Sequence, residues 1–153
     1  MRKRAEVLVM GERLSGSCLC GAVKFTAVPA DGEMAVCHCR MCRKWTGGTY
    51  MAVACGSSVE FSDEASLGIY RSSGYGERVF CKDCGSTLIW RMQDGSHNSV
   101  SAQAFDDPSQ FKFTSEIFVD EQPANYAFAN DTKRMTGPEV FALYAPEQDP
   151  QNG

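Results

Sequence analysis

Seven of the eight cysteines fall into three tight clusters: Cys18-Leu19-Cys20, Cys37-His38-Cys39-Arg40-Met41-Cys42 and Cys81-Lys82-Asp83-Cys84. Cysteines spaced two or three residues apart aim their sulfurs at a common centre, which is the ligand spacing of zinc sites. The outer pairs together supply four sulfurs, enough to close one tetrahedron. The middle cluster supplies three and leaves one coordination position for water or a substrate atom. Closed sites are structural and open ones are catalytic in type, so the spacing predicts two zinc sites of unequal kind and points towards an enzyme.

A disulfide framework is the rival reading, and several features oppose it. Eight cysteines in 153 residues is about 5%, below the roughly 8 to 10% of disulfide scaffolds, and a chain of this length buries a core without staples. The start Met1-Arg2-Lys3-Arg4 resembles a secretory signal, but the apolar run from Val7 to Met10 is flanked by Glu6 and Glu12 and falls short of the required seven or so residues. No stretch approaches the roughly 20 apolar residues of a spanning helix. The expectation is a cytoplasmic protein with no membrane partner, in a compartment where thiolates stay available for metal. A formal charge of -4 and a pI near 5.2 argue against a nucleic-acid partner, which requires a basic face.

Composition fits one domain, with 43% hydrophobic and 22% charged residues and no repeat or linker to divide it. Period-2 patterns broken by glycine predict strands over Val23 to Ala27, Met51 to Ala54, Gly68 to Arg71, Arg78 to Phe80, Thr87 to Trp90, Ser99 to Ser101 and Ile117 to Val119. The chain is therefore read as mainly β, with antiparallel sheets and one or two short helices. The best helix signal is Cys39 to Trp45, before the breaker Gly47-Gly48. Asp106-Asp107-Pro108 reads as a turn, and the tail after Gly137, with Pro138, Pro146 and Pro150, as mostly irregular with a frayed end.

Both outer pairs end in glycine, Gly21 and Gly85, which permits the tight turn of a zinc knuckle. In the middle cluster, three thiolates on Zn²⁺ leave a weak Lewis acid, better suited to holding an incoming thiolate than to hydrolysis. Arg40, Arg43 and Lys44 surround this centre as candidates for binding substrate carboxylates, arginine by a two-pronged grip; a merely solvated cationic helix face is the alternative. Trp45 reads as pocket wall or core, with core favoured, and Gly47 and Gly48 would let a ligand approach the backbone. Cys55 lies in an apolar strand and is read as core rather than as a fourth thiolate. Alternation should turn His38 away from the metal faced by its neighbours, and His97, in a polar turn, is read as exposed without a role.

The segments Gly16 to Phe25, Cys37 to Gly48, Phe80 to Leu88 and Val100 to Pro108 resemble those of the glutathione-dependent formaldehyde-activating enzyme family, which shares its domain with centromere protein V. The resemblance covers about residues 14–128, leaving 1–13 as a lead-in strand and 129–153 as a C-terminal extension. It implies a β-tent zinc fold, with a structural metal on Cys18, Cys20, Cys81 and Cys84 and a catalytic-type zinc on Cys37, Cys39 and Cys42. It also implies carbon-sulfur lyase chemistry on a glutathione or similar thiol adduct of formaldehyde or another small aldehyde. The centromere relative suggests instead a non-catalytic, zinc-stabilised binding module. From Phe111 to Tyr126 the chain departs from the family wording, Tyr126 standing where many relatives have tryptophan, and this segment bears on the pocket wall.

Overall fold

Strands dominate because β-branched and aromatic residues alternate with polar ones between glycine turns. The computed structural model describes residues 11–144, so the apolar run of the expected lead-in strand and the end of the tail lie outside the described residues. In chain order the elements are β1 (Leu14–Ser17), β2 (Lys24–Ala27), β3 (Glu33–Cys37), α1 (Arg40–Thr46), β4 (Tyr50–Ala54), β5 (Glu60–Phe61), β6 (Leu67–Tyr70), β7 (Gly76–Cys81), β8 (Thr87–Met92), β9 (Asn98–Ser101), β10 (Lys112–Ile117), β11 (Lys133–Met135) and α2 (Gly137–Tyr144). The chain divides into two units, one of residues 11–34 and 51–112, the other of residues 35–50 and 113–144.

The first unit carries an antiparallel sheet in the order β1-β2-β5 and an antiparallel run in the order β4-β9-β8-β7-β6. In β2 the period-2 pattern buries Phe25 and Ala27 and leaves Lys24 exposed. Val53 lies opposite Val100 and Val79 opposite Ile89, all fully buried. Phe105 links Phe25 and Phe111 edge-on, with ring centroids 5.4 and 5.0 Å apart. Gly16 is pinned in this packing, since a Cβ there would lie 2.4 Å from the Phe25 ring and 2.5 Å from the Ala104 carbonyl oxygen. Gly16→Ala is expected to cost about 1 to 3 kcal/mol of stability, read as a fall of several degrees in the melting temperature of the metal-loaded protein.

The second unit holds α1, the parallel pair β10-β11, the end of β3 beside β10, and α2. Phe113 meets Phe128 edge-on at 5.2 Å, and Phe118 meets Phe141 at 5.6 Å. Helix α1 starts one residue later than expected, because Cys39 is its cap, and ends at Gly47 in the left-handed conformation (φ 77°).

Six expected strands form within a residue or two of their predicted positions, as β2, β4, β6, β7, β8 and β9. The expected strand at Ile117 to Val119 is instead the end of β10. Phe118 turns left-handed (φ 57°), which breaks the ladder, and Val119–Glu121 forms a 3-10 turn. Strands β1, β3, β5 and β11 fall outside the sequence expectations, and the β10-β11 pair is parallel rather than antiparallel. The tail after Gly137 was expected to be irregular but opens with α2. Its first turn is a capping box: the Thr136 hydroxyl accepts from the Glu139 amide at 3.4 Å, and the Glu139 carboxylate accepts from the Thr136 amide at 3.3 Å. Pro138 sits in that first turn, where its missing N–H costs nothing.

Candidate metal centres

Cys18 and Cys20 follow β1, while Cys81 ends β7 and Cys84 follows it. In each knuckle the glycine amide closes the turn, Gly21 on the Cys18 carbonyl at 3.2 Å and Gly85 on the Cys81 carbonyl at 2.8 Å. Both glycines are left-handed, at φ 81° and 78°, as their place after the cysteines implied. The two knuckles are tied through Ser86, whose hydroxyl accepts from the Leu19 amide at 3.0 Å and lies 3.2 Å from the Cys84 sulfur. All four sulfurs fall within 4.8 Å of one another, with Cys18 to Cys20 at 3.6 Å and Cys20 to Cys81 at 3.8 Å. A tetrahedron with Zn–S bonds near 2.3 Å has edges of about 3.8 Å, so the four fit a zinc ion.

Hydrogen bonds prepare these sulfurs unequally. The Ser86 hydroxyl, with the amides of Ser86 and Cys20, pulls the Cys84 thiol down to about 5. The Ala22 amide favours ionisation of Cys20, but the neighbouring thiols, Cys18 above all, and some loss of solvation outweigh it and push Cys20 up to about 12. A divalent cation removes that conflict, since it neutralises the charge that the sulfurs otherwise impose on one another.

The middle cluster is built at the junction of β3 and α1. Cys37 ends the strand, Cys39 caps the helix by accepting from the Cys42 amide at 3.3 Å, and Cys42 sits in the first turn. All three are buried, and their sulfurs lie within 4.8 Å of one another. The Cys37 thiol is raised far above its ordinary value by Cys39 and Cys42, with burial adding to the effect. The group thus fits a metal with one position open, and its thiols release protons on loading.

None of the eight cysteines forms a disulfide. Cys55 belongs to neither sulfur group; it is buried, its thiol reaches the Val53 carbonyl at 3.5 Å, and burial together with Asp31 pushes it up to about 12. Arg40 and Lys44 are exposed on α1, whereas the Arg43 Nε donates to the His38 carbonyl at 2.9 Å. Trp45 is half-buried against Tyr50, rings 5.3 Å apart, and Gly47 and Gly48 are exposed after the helix. His97 is half-buried rather than exposed, packed on Trp90 and 3.1 Å from the Ser99 hydroxyl, and burial lowers its pKa. A cleft of about 440 Å³ in the first unit, lined by Glu60, Glu64, Arg91 and Asn98, contains no cysteine, so the sulfur chemistry identifies the better candidate site.

The structure adds Glu116, Thr132 and Arg134, which the sequence did not single out, around His38 and Tyr126, which it did. His38 is turned from the sulfurs by strand alternation, and its ring is held by Tyr126 at 2.7 Å and Glu116 at 2.8 Å. Glu116 also receives Arg134 at 2.7 Å and the Thr132 hydroxyl. Burial alone would raise the Glu116 carboxyl, but the hydrogen bonds of Thr132, His38 and Arg134 hold it below its ordinary range. The sequence carries no signal of this, because period 2 along β10 sets Glu116 on the side of Lys112 and Thr114, which reads as solvent-facing.

The sequence pattern of the glutathione-dependent formaldehyde-activating enzyme family matches residues 13–121, a span holding all seven clustered cysteines. The chain belongs to this family. An uncharacterised lyase of Schizosaccharomyces pombe is 34% identical over 127 residues, covering 82% of this chain and 93% of the relative. A candidate glutathione-dependent formaldehyde-activating enzyme of Halomonas elongata is 34% identical over 84 residues, 49% of this chain and 54% of that protein. A crystal structure of a Rhodobacter sphaeroides protein superposes with a TM-score of 0.55 at 21% identity, covering 66% of this chain and all of the other, a likeness of fold. Among the described residues, no helix of this family member is long and apolar enough to cross a membrane.

Proposed function

We propose that this family member is a zinc-dependent carbon-sulfur lyase acting on a glutathione, or similar thiol, adduct of formaldehyde or another small aldehyde. The observation that carries this reading is the three-sulfur group of Cys37, Cys39 and Cys42, one ligand short of a closed tetrahedron. The four-sulfur group of Cys18, Cys20, Cys81 and Cys84 takes the structural role. When bound at the three-sulfur group, zinc would keep an entering thiol ionised near neutral pH and orient its sulfur. Arg40 and Lys44, exposed on α1, are placed to attract the carboxylates of glutathione, while Arg43 fixes the backbone between two ligands. Trp45, Gly47 and Gly48 complete the proposed substrate side. In the cleavage direction the adduct hydroxyl passes its proton to solvent, its oxygen forms the carbonyl bond as the carbon-sulfur bond breaks, the carbon-sulfur electrons pass to sulfur, and aldehyde and thiolate separate.

Cys42→Ala tests the site: metal analysis is expected to fall from two zinc per chain to one, with the thermal unfolding transition retained. Exchange between formaldehyde and glutathione, followed at equilibrium by NMR, should be faster with stoichiometric zinc-loaded protein and lose that acceleration in the variant. An exchange rate unchanged by the wild-type protein removes the lyase reading. Unfolding of the variant makes the middle cluster structural and favours a non-catalytic binding module.

A further inference from the structure

Strand β6 (Leu67–Tyr70) is a sheet edge: among the described residues it pairs with β7 on one side and with no strand on the other. The phase of that pairing is fixed by the bond from the Lys82 amide to the Ser66 carbonyl at 2.8 Å. Hydrogen-bonded and non-bonded pairs alternate along an antiparallel ladder. With Leu67 opposite Cys81 and Tyr70 opposite Arg78, the peptide groups of Gly68 and Tyr70 therefore face β7, and those of Leu67 and Ile69 face outward. The Leu67 amide is satisfied locally, by the Glu64 carbonyl at 3.1 Å. The Ile69 amide and carbonyl and the Leu67 carbonyl remain at the open edge.

Natural sheet edges are blunted by lysine or proline, and Leu67-Gly68-Ile69-Tyr70 holds neither. Instead Ile69 is 51% and Tyr70 64% exposed, and as neighbours they project from opposite faces. The two ends of the segment carry opposite charge. Asp63 and Glu64 are exposed before it, and after it the Arg71 side chain is 71% exposed despite Glu77 at 3.6 Å. An antiparallel copy of the same segment reverses this order, so each Arg71 meets the acidic end of the other. A two-fold axis through Ile69 meets all of these features at once. The two Ile69 residues exchange amide-to-carbonyl bonds, and each Arg71 stands opposite Leu67 of the other copy, beside the turn that carries Glu64. Each Tyr70 then faces a Gly68, where a Cβ would lie 2.4 Å from the Phe80 ring, and an aromatic side chain across from a glycine shields the backbone that glycine leaves bare.

We infer that β6 is a homodimer interface, pairing antiparallel with β6 of a second copy about a two-fold axis at Ile69. The inference stands apart from the lyase reading and would hold equally for a binding module.

The test uses the full zinc-loaded chain. Sedimentation is expected to show a monomer-dimer equilibrium, since so short a pairing makes a small interface of the exchanging kind. Ile69→Lys sets two like charges on the axis and should stay a monomer at every concentration with its zinc content unchanged. Arg71→Glu and Glu64→Arg should each weaken the dimer about tenfold through two symmetric contacts, and the double variant should regain wild-type association. The Ile69 amide should exchange with solvent more slowly as the dimer forms. A wild-type chain that is monomeric at all concentrations overturns the inference: slow exchange at Ile69 in that monomer assigns the edge to another segment of the same chain, and fast exchange leaves it to an unlike partner. A dimer that survives Ile69→Lys, or a double variant no better than the single ones, overturns it as well.

Discussion

Cys81→Ala is expected to leave the chain without a cooperative unfolding transition at room temperature and with one zinc fewer. Cys81 is fully buried at the end of β7, and its sulfur is 3.8 Å from Cys20, 61 residues earlier. A metal on these four sulfurs would close a long loop between β1 and the centre of the first unit. Structural zinc contributes on the order of 10 to 16 kcal/mol in peptides, as much as the 5 to 15 kcal/mol that holds a whole domain folded. Losing one of four ligands therefore removes more than packing can replace. Metal analysis with near-ultraviolet circular dichroism and a thermal melt checks this. Cys55→Ala is the control, since it deletes an equally buried thiol outside both sulfur groups and should keep both zinc and the melt. A cooperative melt near that of wild type for Cys81→Ala would show that the site is no staple.

The second large effect is at Glu116. Glu116→Ala leaves the buried His38 Nε2–H and the half-buried Thr132 hydroxyl without their acceptor, at about 1 to 3 kcal/mol for a buried donor and less for one that water reaches. Arg134 is nearly half exposed and regains water, so the loss in denaturant unfolding should be about 3 kcal/mol. The pH dependence has a definite sign. The folded carboxyl lies below its ordinary 4.5, so on acidification the unfolded chain takes up this proton first. The contribution of Glu116 is whole above about 4.5 and drains away as pH falls through the lower folded value. Glu116→Gln cannot titrate there, so the stability difference between wild type and this variant should be constant above 4.5 and shrink below it. Proton competition for the cysteine sulfurs is common to both proteins and cancels in that difference. A difference that grows on acidification would contradict the assignment.

What could be read from the sequence was local. Cys-x-Cys and Cys-x-x-Cys followed by glycine specify a knuckle within five residues, so both outer pairs and their closing turns were legible. That they meet at one centre was legible from ligand counting. Helix α1 followed from propensity and a glycine stop. The alternation of Met34 and Val36 in β3 is equally plain, but it runs straight into the cysteine cluster, where metal spacing and strand spacing overlap. The box Thr136 to Glu139 marks a helix start, yet Pro138 within it reads as a breaker until its first-turn position is known. The His38 contacts lie 78 and 88 residues away in sequence, and the pairing of β10 with β11 spans only three residues in parallel. Such long-range partners are chosen by how strands assemble, for which no short motif speaks.

Cys39 has two tasks at once: its sulfur belongs to the three-sulfur group and also receives the Cys42 amide in the first turn of α1. A seven-residue helix has too few internal bonds to persist by itself, so its start depends on how negative that sulfur is. Ion loading at the site and backbone order in α1 would in this way be a single equilibrium. Arg40 and Lys44 ride on that helix, so a metal at the three sulfurs would also set these two cations in register, and under the proposed function it would do so before substrate arrives.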